Sequence, residues 1–151
     1  MNWMNEALKE AYKGIDNGEG GPFGSVIVKD NQIIGRGRNE VILLKDPTCH
    51  GEMMAIRNAC HHLDTFDLTG CELYTTAEPC PMCLGAILWA NIDKVFYGCT
   101  RTDSADIGFR DDKFYNILNG KDNSLSIEKL DREQCLELFK KYEKKQNKIS
   151  Y

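Results

Sequence analysis

Cys80-Pro81-Met82-Cys83 follows a β-rich stretch, Glu72-Leu73-Tyr74-Thr75-Thr76, and opens an apolar run through Leu84, Ile87, Leu88 and Trp89. A strand that passes into a proline-containing cysteine pair and then a helix turns sharply at the strand's end, because Pro81 suits a first helical turn where its missing N–H is not needed. One turn apart at a helix start, Cys80 and Cys83 can aim both sulfurs at one point, and the positive end of the helix favours their thiolates. Upstream, Asp46-Pro47-Thr48 leads into a second helical segment with Met53, Ile56, Ala59, Cys60 and Leu63 as its apolar stripe, and His50 and Glu52 fall in its first turn. If His50 meets the two cysteines, two helix beginnings must converge at one end of a sheet.

The remaining pattern supplies that sheet. Trp3, Met4, Ala7, Leu8, Ala11 and Ile15 predict a helix over 2–17, which Gly18-Glu19-Gly20-Gly21-Pro22 ends. Ser25-Val26-Ile27-Val28 and Gln32-Ile33-Ile34 flank Asp30-Asn31 as a hairpin, and Lys94-Val95-Phe96-Tyr97-Gly98 is a further strand. Residues 101–126 are polar and irregular and read as a long functional loop with some local structure. A last helix over about 128–143 places Leu130, Leu138, Phe139 and Tyr142 inward, and the tail 144–151 is polar until Tyr151. Strands alternating with helices give an α/β layered domain around a mixed sheet, and no linker or repeat divides residues 1–151.

Three ligands, His50, Cys80 and Cys83, suit zinc and leave its fourth position for water, whose pKa the metal lowers toward about 7. Glu52 points away from His50 at helical spacing, so it stands beside the water as a proton carrier rather than as a ligand. Help of that kind is worth roughly 10² to 10⁴ in rate. Taken alone, C-x-x-C after a strand also fits a redox dithiol, or half of a structural four-ligand site completed by Cys49, Cys60, Cys99, His61 or His62. No second C-x-x-C or spaced histidine pair completes such a site neatly.

The joint pattern H-x-E…P-C-x-x-C is that of zinc-dependent nucleobase deaminases. With Gly20-Gly21-Pro22-Phe23-Gly24, Asn39, Asp46-Pro47-Thr48-Cys49-His50-Gly51-Glu52, Glu78-Pro79-Cys80-Pro81-Met82-Cys83 and Thr102 to Phe109 followed by Asp111, the chain resembles the cytidine deaminase-like zinc deaminase superfamily, and within it the bacterial guanine deaminases. The resemblance implies a three-layer α/β/α sandwich, one Zn²⁺ per chain, and a homodimer that exchanges C-terminal segments. It implies zinc ligation by His50, Cys80 and Cys83 and proton transfer by Glu52. It further implies that Asn39 holds the ring edge, that Asp111, or its neighbour Asp112, assists proton transfer or binds the purine, and that Phe23 and Trp89 pack on the base. Tyr151 would close over an active site, that of the partner after exchange. Gly51 stands where most members carry alanine, which gives extra space or a shifted backbone N–H where substrate meets the helix start.

The expected reaction is attack of zinc-bound hydroxide on guanine, giving xanthine and ammonia. A tRNA adenosine deaminase, or a deaminase of another purine, cytosine or an aminotriazine, shares the same chemistry, and a zinc-held interaction module is the non-enzymatic reading. Lys140, Lys141, Lys144, Lys145 and Lys148 offer phosphate contacts, but a net charge of −4 argues against a general nucleic-acid binder. No apolar run spans a bilayer, and the N-terminus lacks the pattern of a secretory signal. Seven cysteines in such a chain point to a reducing, cytoplasmic setting.

Overall fold

The computed structural model describes residues 1–151. The first helix, α1 (Trp3–Asp16), is capped by Asn2, whose side-chain oxygen accepts from the Asn5 N–H at 3.2 Å. Strands β1 (Gly24–Lys29) and β2 (Gln32–Arg38) form an antiparallel hairpin turned by Asp30 and Asn31, both left-handed at φ 49° and 60°. Two consecutive residues of positive φ make the tight turn whose twist matches that of the strands. A short α2 (Val41–Leu44) precedes α3 (Gly51–Leu63); β3 (Glu72–Ala77), α4 (Pro81–Trp89) and β4 (Lys94–Cys99) follow.

The sheet runs β2-β1-β3-β4, with β1 antiparallel to both neighbours and β4 parallel to β3. Helix α1 covers one face, and α3 with α4 covers the other, so the architecture is the expected three-layer α/β/α sandwich around a mixed sheet. Strand β1 shows the division residue by residue. Val26 and Val28 pack with Ala7 of α1, whereas Ile27 joins Ala55, Ala59, Leu73, Ile87 and Ala90 on the opposite side. A strand covered on both faces reads as a continuous apolar run, which Val26-Ile27-Val28 is.

Helix α3 lies unusually close to β2. A Cβ on Gly37 would sit 2.2 Å from the Gly51 carbonyl oxygen and 2.3 Å from the Ala55 nitrogen; one on Gly35 would sit 2.4 Å from the Ala55 oxygen. Only glycine permits backbone to approach backbone in this way.

Two expectations are corrected in the C-terminal third. The polar stretch after residue 100 contains α5 (Arg101–Asp106) and α6 (Asp111–Leu118). Helix α5 is held by a reciprocal capping box between Thr100 and Asp103, which stabilises a helix too short for an apolar stripe. The last helix, α7 (Arg132–Glu143), begins later than expected, and Leu130, Leu138, Phe139 and Tyr142 are exposed rather than inward; Phe139 keeps 69% of its surface. Leu138, Phe139 and Tyr142 are bare because no other element of the chain packs substantially against α7. No helix is long and apolar enough to cross a membrane.

Candidate active site

His50 and Cys80 are the cap residues of α3 and α4, both in extended backbone (ψ 160° and 169°), and neither side chain caps its own helix. Cap side chains ordinarily bond back to the first turn. Here both point away, free to act as ligands, and Cys83 joins them from the first turn of α4. The sulfurs of Cys80 and Cys83 each lie 3.6 Å from His50 Nδ1, and the three ligand atoms fall within 4.8 Å of one another. A tetrahedral zinc at normal bond lengths separates a sulfur from a nitrogen ligand by about 3.6 Å. Two sulfurs and an imidazole at that spacing fit zinc without rearrangement.

Electrostatics supports the same reading. The Cys80 thiol is lowered to about 4, chiefly by a hydrogen bond from Cys83 and also by His50. Cys83 is pushed strongly up by Cys80, by burial and by Glu52. The Cys80 thiolate in turn raises His50. Glu52 is buried and is raised above the usual carboxylate range, first by desolvation. Its Oε2 accepts from Cys83 at 3.3 Å and its Oε1 from the Thr75 hydroxyl at 3.2 Å.

His50, Glu52 and Cys80 line a pocket together with Phe23, Asn39, Asp111 and Phe109. Asn39 Oδ1 accepts the Val41 N–H at 3.1 Å, which leaves the amide nitrogen as the group available to donate. Phe23 and Phe109 meet edge to face, centroids 4.7 Å apart at 80°. A Cβ on Gly21 would lie 2.9 Å from Phe109 Cζ and 3.0 Å from Phe23 Cε2, so the glycine makes room for this aromatic pair. Asp111 is raised by burial and by the Cys80 charge.

Helices α5 and α6, which carry Ser104 and Asp111 and are joined through Phe109, are fastened to the zinc loop. Glu78 Oε2 accepts the Arg101 N–H at 3.1 Å, the Arg101 guanidinium lies 4.1 Å over the Tyr115 ring, and the Tyr115 hydroxyl donates to the Pro79 carbonyl at 3.3 Å.

The structure thus brings together Phe23, Asn39, His50, Glu52, Cys80, Cys83 and Asp111. Gly51 is buried in the first turn of α3, and a Cβ there would meet the Phe23 carbonyl and Ser25 Oγ, each at 3.3 Å, so it faces β1 and not the pocket. Trp89 sits at the other end of α4 from Cys80, 67% exposed, with its ring 5.9 Å from that of Tyr151. Tyr151 also meets Phe66 at 6.0 Å. Neither Trp89 nor Tyr151 lines the pocket of its own chain, because α4 carries Trp89 away from the ligand end. Ala77, Glu78 and Ser104 also line the pocket and Thr75 lies behind it, positions to which the sequence pattern assigns no role of their own. A threonine inside a β-rich run looks like ordinary strand, and no local signal marked it.

Residues 1–99 match the family described as the cytidine and deoxycytidylate deaminase zinc-binding region. A guanine deaminase of Bacillus subtilis is 49% identical over 117 residues, which cover 78% of this chain and 75% of that protein. The X-ray structure of guanine deaminase from Bacillus subtilis superposes with a TM-score of 0.95 at 41% identity, over 100% of this chain and 99% of that one. A tRNA-specific adenosine deaminase of Aquifex aeolicus is 47% identical over 95 residues, 63% of this chain and 62% of that protein.

Proposed function

The chain belongs to the cytidine and deoxycytidylate deaminase zinc-binding family, and from that premise we propose that it hydrolyses guanine to xanthine and ammonia as a single deaminase domain. The observation that carries the reading is Glu52: a buried carboxylate outside the three-ligand set, lining the same pocket as His50 and Cys80. His50, Cys80 and Cys83 would hold a zinc ion, which would supply a water activated near neutral pH. Water adds at C2 of guanine and the 2-amino group leaves as ammonia. Glu52 takes the water's proton and delivers it to the adjacent ring nitrogen. A second proton, carried the same way, goes to the departing amine. The Asn39 amide nitrogen donates to a ring acceptor, and Asp111, facing a ring N–H, binds or relays a proton. Phe23 and Phe109 cover the flat ring.

We further propose a homodimer in which the C-terminal segment crosses to the partner. The bare apolar side chains of α7 and the exposed Phe96 and Tyr97 of the edge strand β4 support it. Because Tyr151 packs on Trp89, the two would reach a partner's pocket together. Seven free cysteines are in keeping with a cytoplasmic, reducing setting.

Deamination of adenosine in tRNA is the second reading, favoured by the Aquifex aeolicus relative. Ammonia release from guanine, adenine, cytosine, an aminotriazine and a tRNA anticodon stem-loop separates the two. Guanine is expected to be fastest; faster turnover of the stem-loop overturns the assignment.

A further inference from the structure

Ser25 and Thr75 stand directly opposite each other in the β1–β3 ladder, and both are wholly buried. They share the face of Ile27 and Leu73, two residues further along each strand, which pack in the apolar core against α3. That apolar face therefore changes to a pair of hydroxyls where α3 begins and Glu52 descends toward the sheet. Ser25 Oγ donates to Thr75 Oγ1 at 2.9 Å, and Thr75 Oγ1 donates to Glu52 Oε1 at 3.2 Å. For an ionised Glu52 the direction follows: a carboxylate only accepts, each hydroxyl has one hydrogen, and so Thr75 gives its hydrogen to Glu52 and receives one from Ser25.

We propose that Ser25 and Thr75 form a buried hydroxyl relay that aims the Glu52 carboxylate, making Thr75 a positioning residue for proton transfer. The proposal rests on the reading of Glu52 as the proton carrier. The terminal torsion of a glutamate is soft, with no sharp staggered well to hold it. A group that moves protons between water and a substrate needs its oxygens within about 0.5 Å and 10–20° of the productive arrangement. Committing Oε1 to Thr75 leaves Oε2, which accepts from Cys83 at 3.3 Å only while that sulfur keeps its proton, as the oxygen free to take and release protons once Cys83 is a thiolate ligand. Packing alone does not need the hydroxyl, because valine has the shape of threonine.

The experiment uses the zinc-loaded full chain. Thr75→Val is expected to lower kcat for guanine by roughly 10- to 100-fold, with KM, the Kd of xanthine and zinc content within about threefold of the parent. Thr75→Ser is expected to restore kcat to within about threefold. Ser25→Ala removes only the donor behind Thr75 and is expected to cost about two- to fivefold. In a Glu52→Gln background, Thr75→Val should change the residual rate less than about twofold, since residues acting as one unit are not additive. The antisymmetric carboxylate stretch of Glu52, isolated as the infrared difference between parent and Glu52→Gln, should shift in Thr75→Val, and this needs no turnover. If Thr75→Val fails to fold or to hold zinc, Thr75→Ala takes the same comparisons. Parent-like kcat with an unshifted band overturns the relay, as does a loss undiminished in the Glu52→Gln background. A parent inactive on guanine but with the band shift intact overturns the substrate assignment and leaves the relay standing.

Discussion

Arg101 Nε lies 3.2 Å from Asp112 Oδ1, so of two adjacent carboxylates one is paired at the surface while the other faces the pocket. Asp112 is drawn to the guanidinium, while Asp111 lines the site. Asp111→Asn is therefore expected to lower kcat/KM for guanine by about tenfold or more, and Asp112→Asn by less than about threefold, read by steady-state kinetics. The stability effect has a definite sign. Burial and the Cys80 charge raise Asp111 in the folded state, so its ionisation weakens folding as pH rises above the ordinary Asp value of 3.8. Asp111→Asn should match or slightly exceed the parent in thermal midpoint at pH 7, and lose that advantage below the ordinary value.

Glu52→Gln keeps the shape and the acceptor for Thr75 but cannot carry a proton. One zinc per chain should remain by metal analysis, while turnover falls by roughly 10² or more. Loss of the metal in this variant would assign Glu52 to the ligand set instead.

Zinc uptake should release protons. In the metal-free site Cys83 holds its proton against a pushed-up pKa, and His50 is raised by the Cys80 thiolate. Both must deprotonate to bind, so apparent affinity should climb as pH rises through the raised His50 value. Calorimetry in buffers of different ionisation heat should count between one and about two protons released near pH 7. Cys83→Ala should abolish tight binding.

Gly21→Ala tests the aromatic pair. The added methyl would meet Phe109 Cζ at 2.9 Å, so Phe109 must move. KM for guanine should rise by about tenfold with zinc content unchanged, and titration with xanthine should show the same weakening. An unchanged KM would mean that Phe109 does not cover the base.

Removing residues 147–151 should cut turnover strongly while leaving zinc and the fold nearly intact. Co-refolding Glu52→Gln chains with truncated chains should recover activity if Tyr151 closes over the partner's site. A fully active truncated monomer contradicts both the dimer and the lid.

The parts most legible in the sequence were those with local chemical grammar. Asp30-Asn31 announced a two-residue turn, Pro81 a helix start, and the His50, Glu52, Cys80 and Cys83 pattern the metal centre. Phe109 was harder, because an aromatic beside a glycine reads equally as core. Thr75 and Ser25 were illegible, because their meaning lies in a register across β1 and β3 that no single segment contains. The inward placement of Leu138, Phe139 and Tyr142 failed for a related reason. Amphipathic spacing says that a face wants cover, but not whether its own chain supplies it.

The bare approach of α3 to β2 at Gly35 and Gly37 makes the sheet a gauge block for the chemistry. His50 and Glu52 ride on α3, whereas the cysteines are fixed through β3 and α4, so the gap between imidazole and sulfur is the difference between two stacking thicknesses. One methyl at residue 37, outside the pocket lining, would lift one side of that difference and leave the other in place. Two hydrogen atoms outside the pocket, standing where other residues carry a side chain, thus set how deep α3 and its imidazole can seat against the sheet.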